Sequence, residues 1–180
     1  MKKSLLLVFL ALALVVSSCK KDDDNGTAPV TPATNAIVAT WVSDGANVPF
    51  GLRMLLKVKK IVATFNSNNS YTVVQTDSSN KETTFTGTFT STESQYSDTI
   101  STSATKGAKL FDIVANQSTP NAVTSTGIYA ISGNSMTYEI IQTSPVLAGV
   151  SAPTAQGGFG STTINGAKNP YYIQKYVKQQ

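Results

Sequence analysis

The chain has no histidine, and cysteine occurs once in 180 residues. These two scarcities remove whole classes of chemistry. Ser-His-Asp and Cys-His nucleophilic sites need an imidazole base. A tetrahedral zinc site of the usual kind needs several His or Cys ligands. Charge is also sparse, at 13% of residues with a formal net of +4. Part of that excess sits at Lys2, Lys3, Lys20 and Lys21, ahead of any foldable segment. From Ala36 onward ten basic residues stand against seven acidic ones, mostly scattered, with no aromatic and basic residues interleaved. A nucleic-acid groove needs that interleaving, so no nucleic-acid partner is expected. P-loop and dinucleotide fingerprints are missing. "GGFG" at Gly157–Gly160 lacks the strand-then-helix frame of a phosphate cradle and reads as a loop carrying an aromatic. No Asp/Asn run has calcium-loop spacing. Neither a metal nor a cofactor is expected.

Carboxylate pairs survive these exclusions, because glycoside hydrolysis needs only two acids. Asp77, Glu82, Glu93 and Asp98 lie in or beside turn sequences, where solvation accounts for them. Asp112 in LFDIV and Glu139 in TYEII sit inside apolar stretches. Each is expected to face solvent or to meet a lysine on a neighbouring strand. The chain is therefore read as a binder and not an enzyme.

The N-terminus, MKKSLLLVFLALALVVSSC, opens with two lysines. An apolar run of about a dozen residues follows, the length of a signal-peptide core and too short to span a bilayer. Val16-Ser17-Ser18-Cys19 then resembles the lipobox of bacterial lipoproteins. The resemblance implies that residues 1–18 are a signal peptide and that Cys19, the lone thiol, carries the lipid. Two or three acyl chains hold a protein on a membrane effectively for good. Lys20 follows the cysteine, so the aspartate that signals inner-membrane retention is absent. Lys21-Asp22-Asp23-Asp24 resembles the export signal of surface lipoproteins in the Bacteroidota. An outer-membrane lipoprotein is the location implied, exposed at the cell surface or, if the charge run is only a spacer, facing the periplasm. Residues 19–35 have no aromatic and little to bury, and read as a tether. Sixteen flexible residues reach roughly 20–24 Å.

Residues 36–180 form the expected folded domain. Thr and Ser with Val, Ile, Tyr and Phe make a β vocabulary. IVATWV, KIVATFN, SYTVVQT, ETTFTGTFT, YSDTISTSA, KLFDIVAN, Thr126–Ser132, Met136–Gln142 and NPYYIQKYVK read as short strands between polar turns. In ETTFTGTFT, Phe85, Gly87 and Phe89 share one face and threonines fill the other. The prediction is an all-β antiparallel meander of eight or nine strands, with its edges hidden by closure into a barrel. Two segments break the pattern. Asp44–Lys60 holds a short helix, with Arg53, Lys57 and Lys60 on one face and Leu55 and Val58 opposite. Ser144–Lys168 is long and Gly/Ala-rich, a flap or a disordered crossover.

A tryptophan on the first strand, followed by hairpins such as FNSNNSYTV and TGIYAISGNSMTYEI, is similar to the lipocalin-like (calycin) proteins. The likeness departs at Ala39-Thr40-Trp41, where lipocalins carry Gly-x-Trp, and at the last strand, where Lys175 stands nearest to their arginine. It implies a barrel that holds a small hydrophobic ligand or has no known ligand. The aromatics expected to line the pocket are Phe65, Phe85, Phe89, Phe111 and Tyr138, with Phe159 on the long loop closing the mouth. The other reading is a filled barrel that binds a partner through the 144–168 loop and the Arg53 face.

Overall fold

The computed structural model describes residues 34–180. The expected signal peptide, Cys19 and most of the tether lie outside the described residues. The order begins with α1 (Thr34–Ile37), β1 (Ala39–Asp44) and α2 (Phe50–Leu56). β2 (Val58–Phe65), β3 (Ser70–Asp77), β4 (Glu82–Ser97) and β5 (Lys109–Thr119) follow. Then come β6 (Val123–Ser132), β7 (Ser135–Ser144) and three two-residue strands, β8 (Val150–Ser151), β9 (Thr163–Ile164) and β10 (Ala167–Lys168). β11 (Gln174–Lys178) is last. Eight strands close an antiparallel barrel in the order β1-β11-β7-β6-β5-β4-β3-β2, and β8, β9 and β10 make a small separate sheet.

Alternation fixes which residues point inward. Ile61, Ala63 and Phe65 of β2 are buried, and Trp41 of β1, Ile113 and Ala115 of β5 and Tyr129 of β6 join them in one core. The short turns carry their own locks. Asp77 Oδ1 accepts from the Ser79 and Lys81 amides at 2.8 and 3.0 Å and from the Ser79 hydroxyl. These bonds, the Ser79 hydroxyl first, hold the Asp77 carboxyl below its ordinary pKa.

Two glycines mark where neighbouring strands come too close for a side chain. A Cβ on Gly87 would meet the Asn116 carbonyl at 2.1 Å, and the β4–β5 register shifts at that point. A Cβ on Gly127 would meet the Glu139 carbonyl at 2.1 Å. Both residues stand on the inner face, where tight curvature needs them.

One end of the barrel is packed shut. α1 brings Ile37 beneath the strands, and the Trp41 indole donates to the Ile37 carbonyl at 2.9 Å. Phe89, Tyr129 and Met136 fill the space beside them. The other end carries α2 and the β3–β4 and β5–β6 turns.

Three expectations are corrected. YSDTISTSA is not a strand: β4 ends at Ser97, and residues 98–108 form turns around buried Asp98. Asp98 accepts from the Thr105 hydroxyl at 2.7 Å and the Ile100 amide at 2.9 Å, so its side chain takes over what a ladder would supply. α2 stops one residue before Lys57, which adopts φ 57° as its C-cap. Lys57 and Lys60 therefore share no helical face with Arg53, and Leu55 is 78% exposed, not turned to the core. Finally, the 144–168 segment is an ordered layer laid on the outside of the barrel. It includes the β8–β10 sheet, and Ala155 and Phe159 pack on Leu110, Ile128 and Ala130.

Candidate functional site

The upper half of the barrel is not filled. A cavity of about 210 Å³ lies inside it, above the packed floor. Ile61, Ala63 and Phe65 of β2 line one wall, continued by Tyr71, Val73 and Gln75 of β3. Phe85 of β4 adds an aromatic face. Across from them stand Tyr138 and Ile140 of β7 with Gln174 and Tyr176 of β11. Ala115, Gln117 and Ser125 complete the lining, and Leu52 reaches in from α2. Every strand residue here is in phase with the buried core, so the same alternation that builds the barrel builds the wall.

The aromatics of the wall and floor are interlocked. Phe65 meets Phe89 edge-on at 5.1 Å, and Tyr138 meets Tyr176 edge-on at 6.1 Å. Such edge-to-face pairs add to area burial and hold ring positions. Burial pushes the Tyr138 and Tyr176 hydroxyls well above their ordinary pKa, and raises Tyr71. These phenols are neutral at physiological pH. The Gln174 amide nitrogen is sealed from solvent, and a hydrogen bond from the Gln174 side chain offsets part of the rise at Tyr176.

The six aromatics expected at a pocket divide three ways. Phe65, Phe85 and Tyr138 line the cavity. Phe89 lies beneath it, 1% exposed, and Phe111 stacks on Tyr129 at 5.0 Å, so these two are core. Phe159 is not at the mouth. It packs on the outer face of β5 and β6, because its loop is fastened there. Sequence reading missed Tyr71, Gln75, Gln117, Gln174 and Tyr176. Their signal was present, since Tyr71, Val73 and Gln75 alternate on one face of SYTVVQT.

Glu139 is the fastener. It was expected to face solvent or a lysine; it is fully buried under the 144–168 segment. Its carboxylate accepts from the Gly160 amide at 2.6 Å and the Thr162 amide at 3.2 Å. The Gly-rich loop does cradle an anion, and the anion is the chain's own side chain. Asp112 remains exposed on the outer face, on the far side of Ile128 from Glu139. Two strand spacings, roughly 9–10 Å, separate them, and only one can reach water.

A second groove of about 280 Å³ lies on the outer wall between α2, the 100–103 turn and β11. Among the described residues no group of three His, Cys, Asp or Glu side chains gathers to hold a metal. No described helix is long and apolar enough to cross a membrane. The barrel is compatible with ligand binding, and its chemistry is apolar walls with a few polar groups. Compared with protein-family models, with curated proteins and with solved structures, the chain matches none.

Proposed function

We propose that the barrel is the ligand-holding domain of a lipid-anchored, lipocalin-like outer-membrane lipoprotein, and that it binds one small apolar or amphipathic molecule without converting it. The observation that carries the reading is the contrast between the two barrel halves. One end is closed by buried side chains, whereas the other keeps a cavity of about 210 Å³ walled by aromatic and aliphatic side chains. Apolar walls with a few convergent polar groups are the mark of a small-molecule site. The absence of histidine and the burial of Glu139 support binding without catalysis.

Filling the space is the direct test. Val73 lines the cavity and is only half-buried, so Val73→Trp puts an indole where a ligand would sit. Uptake of an apolar fluorescent probe should fall at least tenfold while the melting temperature holds. Equal uptake by both proteins would place the probe elsewhere and refute the site.

The anchor is tested separately. Cys19→Ala should abolish acyl labelling and membrane fractionation, because the thiol is the acceptor. A labelled Cys19→Ala protein ends that part of the proposal. Exposed Val146 and Leu147, at 80% and 41%, favour a second role for the 144–168 segment as a partner-binding surface.

A further inference from the structure

Eight large apolar side chains stand exposed among the described residues, and five of them gather at one place. Phe50, Met54, Leu55 and Leu56 belong to α2, and Tyr171 lies just ahead of β11. The rings of Phe50 and Tyr171 meet at 4.9 Å, so the two segments form one patch. Met54, Leu55 and Leu56 are consecutive, at 54%, 78% and 59% exposure. Successive helical residues turn by about 100°, so three in a row cannot share a buried face. They form a blunt apolar tip. A single exposed apolar residue needs no explanation, but a contiguous patch rimmed by polar groups marks a contact surface.

The rim is basic. Arg53, Lys57, Lys59 and Lys60 accompany the tip, and no acidic residue occurs from Gly45 to Thr76. The Lys57 carbonyl accepts from the Ser78 amide at 2.9 Å, which brings the β3–β4 turn and Lys81 alongside. Asp44, Asp77 and Glu82 are the acidic groups at this end, and Asp77 is committed to the Ser79 and Lys81 amides of its own turn. An apolar tip flanked by lysine and arginine matches a bilayer surface. The tip enters the acyl boundary and the cations stay among the phosphates. Leu55 protrudes, and a fluid interface accepts a protruding side chain without a matching pocket.

Chain geometry permits the contact. α1 joins the barrel at the closed end, opposite α2. Thr34 lies fifteen residues after Cys19, a separation that extends to at most about 50 Å. The eight residues of β2 span about 26 Å. The proposed anchor therefore leaves either end of the barrel free to meet the membrane, and the apolar tip selects the hollow one.

Resting on the lipid anchor proposed above, we infer that α2 docks on an anionic lipid surface through Met54, Leu55 and Leu56, with Arg53, Lys57, Lys59 and Lys60 at the phosphates. Leu52 of the same helix lines the cavity, so docking sets the mouth of the barrel against the lipid.

A chain acylated at Cys19 has no other thiol, so one introduced cysteine takes a label alone. Leu55→Cys is compared with Ser67→Cys, which lies in the β2–β3 turn at the closed end. Each carries an environment-sensitive fluorophore on the acylated chain. The vesicles are phosphatidylcholine, alone or mixed with phosphatidylglycerol, with a nitroxide quencher on the acyl chains. In the mixed vesicles the Leu55 probe should shift to the blue and be quenched severalfold more than the Ser67 probe. In phosphatidylcholine alone that difference should shrink. Lys57→Asn keeps a residue that tolerates the left-handed cap. Combined with Lys60→Gln, it should lower the docked-to-free ratio about fivefold for each lysine removed. Equal quenching at both positions in the mixed vesicles, or a Leu55 signal indifferent to phosphatidylglycerol, overturns the docking and leaves the anchor standing. A blue shift that follows protein density and not lipid charge assigns the face to a second copy and overturns it as well. A chain that never enters the vesicle fraction overturns docking and anchor together.

Discussion

At the scale of the residue, the carboxylate buried under the 144–168 segment is the side chain that ties two layers together. Glu139 projects from the outer face of β7, and two backbone amides of the covering segment donate to it. Hydrogen bonds to a charged group contribute more than neutral ones, about 1.5–3 kcal/mol each. Glu139→Ala should cost about 3 kcal/mol, read as a lower urea midpoint. Residues 157–162 should also become open to limited proteolysis. Glu139→Gln keeps one acceptor oxygen and should lose less. Wild-type resistance to both urea and protease in the alanine variant would show that the apolar contacts of Ala155 and Phe159 suffice to hold the layer.

At the scale of the element, alternation carried most of the fold. Phe65, Phe85 and Tyr138 were legible as inward residues because apolar or small side chains fill the alternate positions beside them. YSDTISTSA misled for the same reason in reverse. Small Ser and Thr residues alternate there without any large apolar partner, and the segment turns around Asp98 instead. The outer layer was illegible. A period of two separates inside from outside, but it does not say whether the outside is wet. What covers β5 to β7 comes from a segment whose contact residues, Ala155, Phe159 and Thr162, are remote in sequence and follow no period. The inward glutamines were hidden by the opposite assumption, that polar means exposed. Gln75, Gln117 and Gln174 are in phase with the core, and that phase was the signal to follow. The end of α2 was a matter of one residue, since Lys57 in the left-handed region closes the helix before the basic stripe can form.

At the scale of the whole molecule, the barrel has a packed half and a hollow half, and buried phenols stand in both. Tyr129 sits at the packed end with its hydroxyl 2.8 Å from Ser91 Oγ. Burial pushes its pKa up to about 12 from 10.0, and the Ser91 hydrogen bond offsets part of the rise. A raised tyrosine pKa means that the folded state holds its proton more tightly than the unfolded chain. The stability from Tyr129 is therefore complete below pH 10 and falls as pH rises from 10 to about 12. Denaturant midpoints measured across that range should decline, and Tyr129→Phe should make the decline shallower. A slope unchanged in the phenylalanine variant would assign it to other groups. The seam of the barrel carries a different consequence. Every other barrel ladder except β7–β11 joins strands that are neighbours in sequence, but β1 meets β11 by pairing Trp41 with Lys178 and Val42 with Val177. Bringing such distant segments together costs loop entropy before any contact is gained, so this ladder forms late. Pulsed hydrogen exchange during refolding should find the β1–β11 amides protected after those of the β2–β3 and β6–β7 hairpins; simultaneous protection would refute late closure. A chain exported as proposed must thread a translocon as an open strand. A barrel whose clasp joins segments so far apart cannot lock until β11 has followed β1 through, which leaves the polypeptide threadable for most of its passage.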